Sequence, residues 1–242
     1  MTAFEIAIQD PTGIAVAVAV RPDRVELAGA LSTGGVTPSP ALTESAAATG
    51  VPVHALIRPR EGGFGYDDAE RDLVVADARH AIRLGAAGVV IGGLTADGAV
   101  DAALVERVRD VVGDHEITFH RAFDQMADRR AALDVLVGLG VTRVLTSGGA
   151  GRAIDATDEL RALVAHADGR IQIMAGAGVT SQNVAELAAT GVDAVHASAK
   201  RTVVEQLTVS LGSGAPAGES GYATADEAEA RAIRAALAGA SS

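Results

Sequence analysis

The segment 117–124, with the sequence Ile-Thr-Phe-His-Arg-Ala-Phe-Asp, places three chemically active side chains within five positions. His120, Arg121 and Asp124 supply an imidazole, a guanidinium and a carboxylate, which are groups that transfer protons and bind anions. The segment begins with β-branched and aromatic residues, which indicates a buried strand that ends in polar residues. For a single strand, ordinary surface charge is the simpler explanation. The case for a functional site depends on the same pattern recurring in other strands.

Other predicted strands also carry ionisable side chains in or just after an apolar run. Glu5 lies in the first predicted strand and Glu26 in the second. A buried carboxylate costs several kcal/mol unless it is paired or neutralised, so we expect Arg58 and Arg121 to be partners of these two groups. The other polar residues at strand ends are His54, Arg60, Ser147, His196 and Ser198. For any one residue, a structural ion-pair network is an equal alternative, whereas a set drawn from several strands favours a site.

Glycines follow the seventh predicted strand, where residues 174–180 read Met-Ala-Gly-Ala-Gly-Val-Thr. Gly176 and Gly178 precede a helix start, so we expect backbone N–H groups there to be open to an anion. In parallel barrels the loops after strands seven and eight commonly bind phosphate, and His196 and Ser198 supply donors beside this loop. The alternative is a tight turn between strand and helix that requires glycine.

These candidate residues depend on alternating strands and helices. Short β-branched runs predict strands near 4–8, 24–28, 52–58, 88–93, 117–121, 143–147, 171–176 and 194–199. Alanine-rich amphipathic segments predict helices near 11–20, 39–48, 67–84, 101–112, 129–139, 155–167, 181–190 and 224–238. Strands separated by helices pair in parallel, so the sequence predicts an α/β fold.

Eight such units match a (β/α)8 TIM barrel that forms a single domain over residues 1–242. An open doubly wound sheet is the competing fold, but no Gly-x-Gly-x-x-Gly motif follows the first strand. The Gly- and Ser-rich stretch near 211–222 is predicted to be a flexible loop ahead of the C-terminal helix.

Composition excludes several classes of function. The formal charge of −11 argues against nucleic-acid binding, which requires clustered basic residues. The absence of cysteine excludes disulfides, thiolate metal ligands and a cysteine nucleophile. No apolar run approaches the roughly 20 residues that span a bilayer, so we expect no membrane partner. The N-terminal residues do not resemble a signal peptide, so we expect a cytoplasmic location.

Some catalytic mechanisms are also disfavoured. A Schiff-base enzyme requires a lysine inside the barrel, and Lys200, which is followed by Arg201, is the only lysine in the chain. No Gly-x-Ser-x-Gly motif is present for a catalytic serine. His54, His120 and His196 lie on predicted strands and could bind a divalent ion together with Glu5, Glu26 or Asp124, but the sequence assigns no metal. The other histidines, His80, His115 and His166, are predicted to lie on the surface.

Six segments of the chain together resemble one family. They are 24–27 (Arg-Val-Glu-Leu), 34–39 (Gly-Gly-Val-Thr-Pro-Ser), 53–60 (Val-His-Ala-Leu-Ile-Arg-Pro-Arg), 118–124 (Thr-Phe-His-Arg-Ala-Phe-Asp), 143–148 (Arg-Val-Leu-Thr-Ser-Gly) and 173–179 (Ile-Met-Ala-Gly-Ala-Gly-Val). These motifs, which extend over nearly the whole chain, resemble the CutC family, whose members are called copper homeostasis proteins. The resemblance implies a (β/α)8 barrel, a cytoplasmic location, a homodimer or larger homo-oligomer, and a link to copper.

The copper link does not extend to a thiolate site in this chain. Members of the family often carry cysteine after the first-strand Glu, after Val-Glu-Leu and after the Phe-Asp of the fifth strand. Those places hold Ala7 and Ile8, Ala28, and Gln125 and Met126 here. Cu(I) prefers sulfur ligands, so copper remains a possible cofactor by resemblance only.

Two hypotheses of different classes follow. The first is a CutC-type copper homeostasis protein that binds copper through histidine and carboxylate, or acts indirectly. The second is a barrel enzyme for a small anionic or phosphorylated substrate, in which Glu5 or Glu26 works with His120 in acid–base chemistry and arginines hold the anion. The predicted catalytic residues are Glu5, Glu26, His120 and Asp124. The predicted binding residues are His54, Arg58, Arg121, Ser147, Gly176, Gly178, His196 and Ser198.

Overall fold

The computed structural model describes residues 2–209 and 218–240. Eight parallel strands form a closed barrel in chain order, and the eighth strand pairs with the first. The strands are β1 (Ala3–Ile8), β2 (Arg24–Leu27), β3 (Val53–Leu56), β4 (Gly88–Ile91), β5 (Glu116–Phe119), β6 (Arg143–Thr146), β7 (Gln172–Gly176) and β8 (Ala194–Ala197). The predicted (β/α)8 barrel is therefore confirmed.

The helices lie outside this barrel and follow the strands. They are α1 (Pro11–Val20), α2 (Pro40–Ala47), α3 (Asp68–Arg83), α4 (Ala102–Val112), α5 (Arg129–Gly138), α6 (Thr157–Ala167), α7 (Val184–Ala188) and α8 (Glu227–Ala240). Several begin at a side-chain cap, such as Asp10, whose carboxylate accepts from the Gly13 N–H at 2.7 Å. No helix in the described ranges is both long and apolar enough to cross a bilayer.

The side chains of each strand alternate between two layers. Alternate residues such as Ile6, Leu27 and Ile57 belong to the main apolar core, which also contains buried residues of the helices. The intervening positions of a strand face the other side of the sheet, which in a barrel is the interior. There the chain places buried polar groups, including Glu5, Arg24 and His54, beside small apolar clusters. The interior of this barrel is therefore unusually polar.

Several strands end earlier than the sequence predicts. His120 and Arg121 lie beyond β5, because His120 caps a short 3-10 helix, Arg121–Gln125. Arg58, Ser147 and Ser198 likewise follow the last residue of their strands. The polar tips predicted as strand residues are thus loop residues at the carboxyl end of the barrel, which is the end where barrel enzymes have their sites.

The seventh helix is also shorter than its predicted span of 181–190. A turn replaces its first residues, in which Asn183 Oδ1 accepts from the Thr180 N–H at 2.9 Å. The turn ends in the five-residue helix α7.

An antiparallel ribbon extends from the last barrel strand. It consists of β9 (Lys200–Leu207) and β10 (Gly218–Ala225). Of the predicted loop near 211–222, residues 211–217 lie outside the described residues, whereas residues 218–222 belong to β10, so a loop is the wrong assignment for them. The base of the ribbon is tied to the end of β1, because Gln9 Nε2 donates to the Ala223 carbonyl at 2.6 Å. Helix α8 follows and packs against α1 and α7.

Candidate active site at the barrel mouth

Adjoining cavities open at the carboxyl ends of the strands, and two of them contain most of the predicted site residues. The inner cavity has a volume of about 280 Å³, and its wall includes Glu26, Leu56, Arg58, Phe64 and His120. The outer cavity, of about 810 Å³, extends over the loops after β7 and β8 toward the start of α8. Arg121, Leu145 and His196 line both cavities. The mouth is therefore one continuous site with a smaller inner part and a larger outer part.

Glu5 is fixed by charged partners on both sides. Its Oε1 accepts from His196 Nδ1 at 2.7 Å, and its Oε2 accepts from Arg24 Nε at 2.6 Å. Burial alone would raise the pKa of Glu5, but the His196 hydrogen bond and the charge of Arg24 bring it well below its usual range. The expectation that Arg58 or Arg121 pairs with this carboxylate is wrong. Arg24 lies beside Glu5 in the parallel register, whereas the other two arginines start from more distant strands.

Glu26 has the opposite environment. It is 6% exposed, and its Oε2 has no hydrogen-bond partner in the described part of the chain. Burial raises the pKa of Glu26 to about 7, although the charge of His196 opposes this shift. Burial would lower the pKa of His196, but the charge of Glu26 and the hydrogen bond to Glu5 raise it above its usual value. The sequence left open whether Glu5 or Glu26 is the acid–base group. The geometry favours Glu26, with His196 as the imidazole beside it.

His120 is buried and neutral. Its Nδ1 accepts from the Ala122 N–H at 3.1 Å, and its ring lies 4.7 Å from the ring of Phe64. Burial and the nearby charge of Arg58 lower the pKa of His120 to about 3. Gly92 makes room for the imidazole, since a Cβ at that position would lie 2.2 Å from His120 Cε1. His120 can donate or accept a hydrogen bond in this setting, but it is a poor proton acceptor.

Asp124 organises the loops after β5 and β6. Its carboxylate accepts from Thr146 Oγ1, from both the N–H and Oγ of Ser147, and from the Gly149 N–H, at distances between 2.5 and 3.2 Å. It also accepts from Arg121 Nε at 2.8 Å. Arg121 Nη2 in turn donates to Ser147 Oγ at 2.9 Å. Asp124 and Ser147 therefore position Arg121 at the cavity wall, and these bonds leave Nη1 for a ligand.

Arg58 is held mainly by backbone carbonyl groups. Its Nη1 donates to Gly35 O at 2.8 Å, and its Nη2 donates to Gly62 O at 2.6 Å. The guanidinium carbon lies 5.2 Å from the centre of the Phe64 ring. Arg58 thus clamps two loops and leaves a positive charge beside His120, with few donors remaining for a ligand.

His54 lies deeper, in a polar floor below the mouth. It is 2% exposed and lines neither cavity. Its Nε2 lies 3.5 Å from Glu116 Oε2, which also accepts from Arg143 Nη2 at 2.9 Å. Burial lowers the pKa of His54 to about 4. The structure therefore does not bring His54 together with the other predicted binding residues.

The predicted anion loop has mixed features. Gly178, Ser198 and Lys200 line the outer cavity, but so do the carboxylates of Asp226 and Glu229. Glu229 also accepts from the N–H and the hydroxyl of Ser181, at 2.8 and 3.0 Å, which are donors that a bound anion would need. Gly176 lies behind this wall, where a Cβ would come within 2.5 Å of Leu145. The inner cavity therefore suits an anion better than the outer one.

One group of side chains in the described part of the chain could bind a metal ion. One oxygen each of Glu5 and Glu26 and one nitrogen of His196 lie within 4.8 Å of one another. This group offers no sulfur, and the buried thioether of Met174 already faces Arg24 Nη2 at 3.2 Å. It therefore does not fit Cu(I). Both oxygens of Glu5 already accept hydrogen bonds, from His196 and Arg24, so a cation that takes oxygen and nitrogen ligands would compete with these partners.

Sequence reasoning missed several residues that build the site. Arg24 and Arg143 lie at strand starts, where a basic residue resembles a boundary, and Phe64 and Gly92 lie in loops. The alternation of side chains along a strand could have indicated Arg24 and Arg143. Positions 24, 26 and 28 lie on one face of their strand, and positions 143, 145 and 147 lie on one face of theirs.

The fold and the mouth define a class: a (β/α)8 barrel with buried carboxyl and imidazole groups at the carboxyl ends of its strands. Comparison with known proteins identifies the family. The CutC family model matches residues 2–201, and the chain belongs to the CutC family.

Similar proteins cover most of the chain. A CutC family protein of Caulobacter vibrioides is 46% identical over 196 residues, which are 81% of this chain and 80% of the relative. One from Sinorhizobium medicae is 41% identical over 237 residues, with 97% and 95% covered. A solved structure described as a copper homeostasis protein CutC of Streptococcus agalactiae is 32% identical, with a TM-score of 0.78 and coverage of 82% of this chain and 99% of that one.

Proposed function

We propose that the mouth binds a small anionic molecule and moves protons on it, with Glu26 and His196 as the acid–base groups. The observation that carries this proposal is the Glu26 carboxyl, which is buried at the wall of the inner cavity with an oxygen that has no partner in the described residues. A carboxyl group poised near neutral pH, in a cleft with an imidazole, is the usual form of such a site. The pKa of Glu26, raised to about 7 by burial, fits this role.

Glu5 acts through His196 and does not contact the ligand. Its hydrogen bond to Nδ1 fixes the orientation of the imidazole and directs Nε2 away from Glu5, as a carboxylate does in a catalytic triad. Arg24 behind Glu5 keeps that carboxylate ionised. Arg24 and Glu5 are thus a fixed support for His196, and Glu26 is the carboxyl group whose charge changes.

Arg121 is the main anchor for the anion. It lines both cavities, and its Nε and Nη2 are already oriented by Asp124 and Ser147. A preorganised guanidinium binds carboxylate or phosphate with little loss of side-chain entropy. Arg58 adds positive charge at the inner end, where it lies over Phe64.

A ligand screen tests this proposal. We expect a subset of small carboxylates and phosphate esters to raise the melting temperature of the protein, and Glu26→Gln and Arg121→Met to remove that shift. Glu44→Gln, on the exposed surface of α2, is the matched control and is expected to behave as the unmodified chain. The proposal fails if the Glu26 and Arg121 variants retain every ligand and every activity that the screen finds.

Copper handling is the second candidate function. It is favoured by the close grouping of Glu5, Glu26 and His196, and by the description of the S. agalactiae relative as a copper homeostasis protein. Titration calorimetry with Cu(II), and with Cu(I) under reducing conditions, compares the unmodified chain with His196→Asn and with the exposed control His80→Asn. Affinity at least about tenfold tighter than that of the His196 variant would support copper binding. Equal affinities would exclude this cluster as a copper site.

The cytoplasmic location and the homo-oligomeric state remain predictions. Cell fractionation tests the first. Light scattering coupled to size-exclusion chromatography tests the second, because it measures the mass in solution directly.

A further inference from the structure

A buried imidazole and a buried carboxyl group line the inner cavity without partners from the protein. Within residues 2–209 and 218–240, His120 Nε2 and Glu26 Oε2 make no hydrogen bond, although each residue is only 6% exposed. A buried polar group without a partner is unfavourable, so a ligand that supplies a partner recovers that free energy. The two atoms therefore point to a ligand with polar groups for both.

The hydrogen bonds of His120 determine which ring nitrogen carries the proton. The Ala122 N–H donates to Nδ1, so Nδ1 presents its lone pair. Because burial and the charge of Arg58 lower the pKa of His120 to about 3, the ring is neutral and Nε2 bears the hydrogen. Nε2 is therefore a neutral donor, which is suited to the oxygen of a carbonyl group or to an oxyanion that forms from it.

The surroundings hold this donor rigidly. Phe64 lies against the imidazole at 4.7 Å between ring centres, and Arg58 lies over the same phenyl ring. Gly92 also lies against the imidazole, where any side chain would clash with the ring. A fixed donor stabilises a developing negative charge more strongly than a mobile one.

Resting on the proposed function, we infer that the inner cavity takes a small hydroxy-carbonyl compound. Its carbonyl oxygen accepts from His120 Nε2, and Glu26 moves a proton at the neighbouring carbon. A neutral imidazole that polarises a carbonyl beside a carboxylate base is an established solution for proton abstraction next to a carbonyl. The volume of about 280 Å³ admits a compound of a few carbons, and Arg121, which lines both cavities, can hold its anionic group where the two cavities join.

The reaction requires no proton or electron from outside the site. The C–H bond next to the carbonyl breaks, its proton goes to the Glu26 carboxylate, and its electron pair forms the C=C bond of an enediolate. The carbonyl π electrons move to the oxygen that His120 stabilises. Glu26 then returns the proton to the former carbonyl carbon. His196 carries the hydroxyl proton between the two oxygens, so that the isomeric carbonyl compound forms and no other reactant is consumed.

Exchange of carbon-bound hydrogen in D₂O tests the inference. The probes are glyceraldehyde, dihydroxyacetone and their monophosphates, and ¹H NMR measures the loss of the C–H signal. We expect the unmodified chain to exchange at least one probe and Glu26→Gln to abolish exchange. His120→Asn, which keeps an acceptor near Ala122 but lacks the outer donor, is expected to lower kcat by about 10²–10³-fold with a smaller effect on KM.

Two further variants separate the donor role from a structural role. His120→Gln places an amide N–H near the position of Nε2, so we expect it to restore part of the lost rate. His115→Asn, on an exposed histidine, is the control and is expected to exchange normally. Exchange by His120→Asn at the unmodified rate would overturn the inference, as would a loss that His120→Gln does not relieve.

Glycolohydroxamate, a stable mimic of a two-carbon enediolate, gives a readout that is independent of turnover. We expect it to shift the ¹⁵N resonance of His120 Nε2 and to bind at least about tenfold more weakly to His120→Asn. If no probe exchanges and this resonance does not move, while Glu26→Gln still abolishes binding of other anions, the carbonyl site is wrong and the acid–base proposal stands. If no anion binds at the mouth, both are wrong.

Discussion

Three carboxyl groups near the mouth have three different environments, and these environments separate their roles. Glu5 is buried between a guanidinium and an imidazole, and Asp124 accepts hydrogen bonds from four other residues. Glu26 is buried with an oxygen that lacks a partner within the described chain. Glu26, whose pKa burial raises to about 7, therefore has a charge that can change near neutral pH without breaking an ion pair.

Replacing Glu5 tests its role as a support. Glu5→Gln leaves Arg24 buried without its counter-charge, and breaking a buried pair from one side costs about 3–5 kcal/mol. We expect that loss in the free energy of unfolding from urea denaturation, together with a fall in the pKa of His196 followed by NMR. Glu44→Gln is the control for the loss of a surface carboxylate. A pKa of His196 that does not change would contradict the assignment of Glu5 as its partner.

Asp124 is predicted to act through structure. In Asp124→Asn, an amide NH₂ group replaces an oxygen that accepts hydrogen bonds, so at least one buried donor loses its partner. We expect a loss of about 2–3 kcal/mol in the free energy of unfolding and weaker anion binding, because Arg121 loses its orientation. Calorimetric unfolding and the anion screen measure the two effects, with exposed Asp114→Asn as the control. Normal anion affinity in a destabilised Asp124→Asn protein would remove Arg121 from the proposed site.

At the scale of elements, the strands carry the site on alternate positions. In β2 and the residue after it, positions 24, 26 and 28 hold Arg, Glu and Ala, while the intervening Val25 and Leu27 belong to the apolar core. In β6 and its following residue, positions 143, 145 and 147 hold Arg, Leu and Ser. This period of two inverts the usual expectation for a strand, because here the polar face is enclosed by the barrel.

This alternation explains how much could be predicted from the sequence. The eight strands, their order and the barrel follow from the β-branched runs and the helices between them. The pairing of Glu5 with His196 is less visible, because 191 residues separate them in the chain. Closure of the barrel makes the first and last strands neighbours, so His196, and not His120, lies opposite Glu5. The ribbon β9–β10 could not be predicted, because glycine and serine in Gly218–Ala225 resemble a loop.

A substitution at Gly92, which directly follows β4, can displace the imidazole of His120 without changing any polar group. In Gly92→Ala the new methyl group would lie 2.2 Å from the imidazole, so we expect the ring to move and ligand affinity at the inner cavity to fall by at least about tenfold. Gly138→Ala is the matched control, because a Cβ in that part of α5 meets no atom within 4 Å. We expect it to stabilise the protein by about 0.5–1 kcal/mol. Crystal structures of both variants would test the displacement directly.

At the scale of the whole molecule, the polar interior extends from the mouth to the floor. Glu5 connects the two parts, since one oxygen contacts His196 at the mouth and the other contacts Arg24. Below it, Arg143 is almost fully buried and donates to Glu116 and to Thr118 Oγ1. The apolar layer between strands and helices must therefore supply most of the stability, while the interior charges offset one another.

The pH dependence of stability should report on this interior through His54. Glu5, Arg143, Arg24 and Glu116 face it. The pKa values of the two carboxylates lie below their usual range, so neither Glu5 nor Glu116 is expected to titrate between about pH 7 and about pH 5. The unfolded chain protonates His54 near its ordinary pKa of 6.5, whereas burial lowers the folded value to about 4. Between these two values the unfolded state thus binds the extra proton. The contribution of neutral His54 to folding is therefore complete above pH 6.5 and is lost as the pH falls toward 4.

Comparing variants isolates this single histidine from the other groups that titrate. Glu26 and His196 have raised pKa values and change stability in the opposite direction, so the total for the unmodified chain is a mixture. His54→Gln removes one contribution. We expect the unmodified chain to lose about 2 kcal/mol more free energy of unfolding than this variant between about pH 7 and about pH 5. Urea denaturation at both values measures the difference, and exposed His80→Gln should match the unmodified chain. Equal losses in the unmodified chain and in His54→Gln would mean that His54 already carries a proton in the folded barrel, and that the floor is a charged network rather than a neutral one.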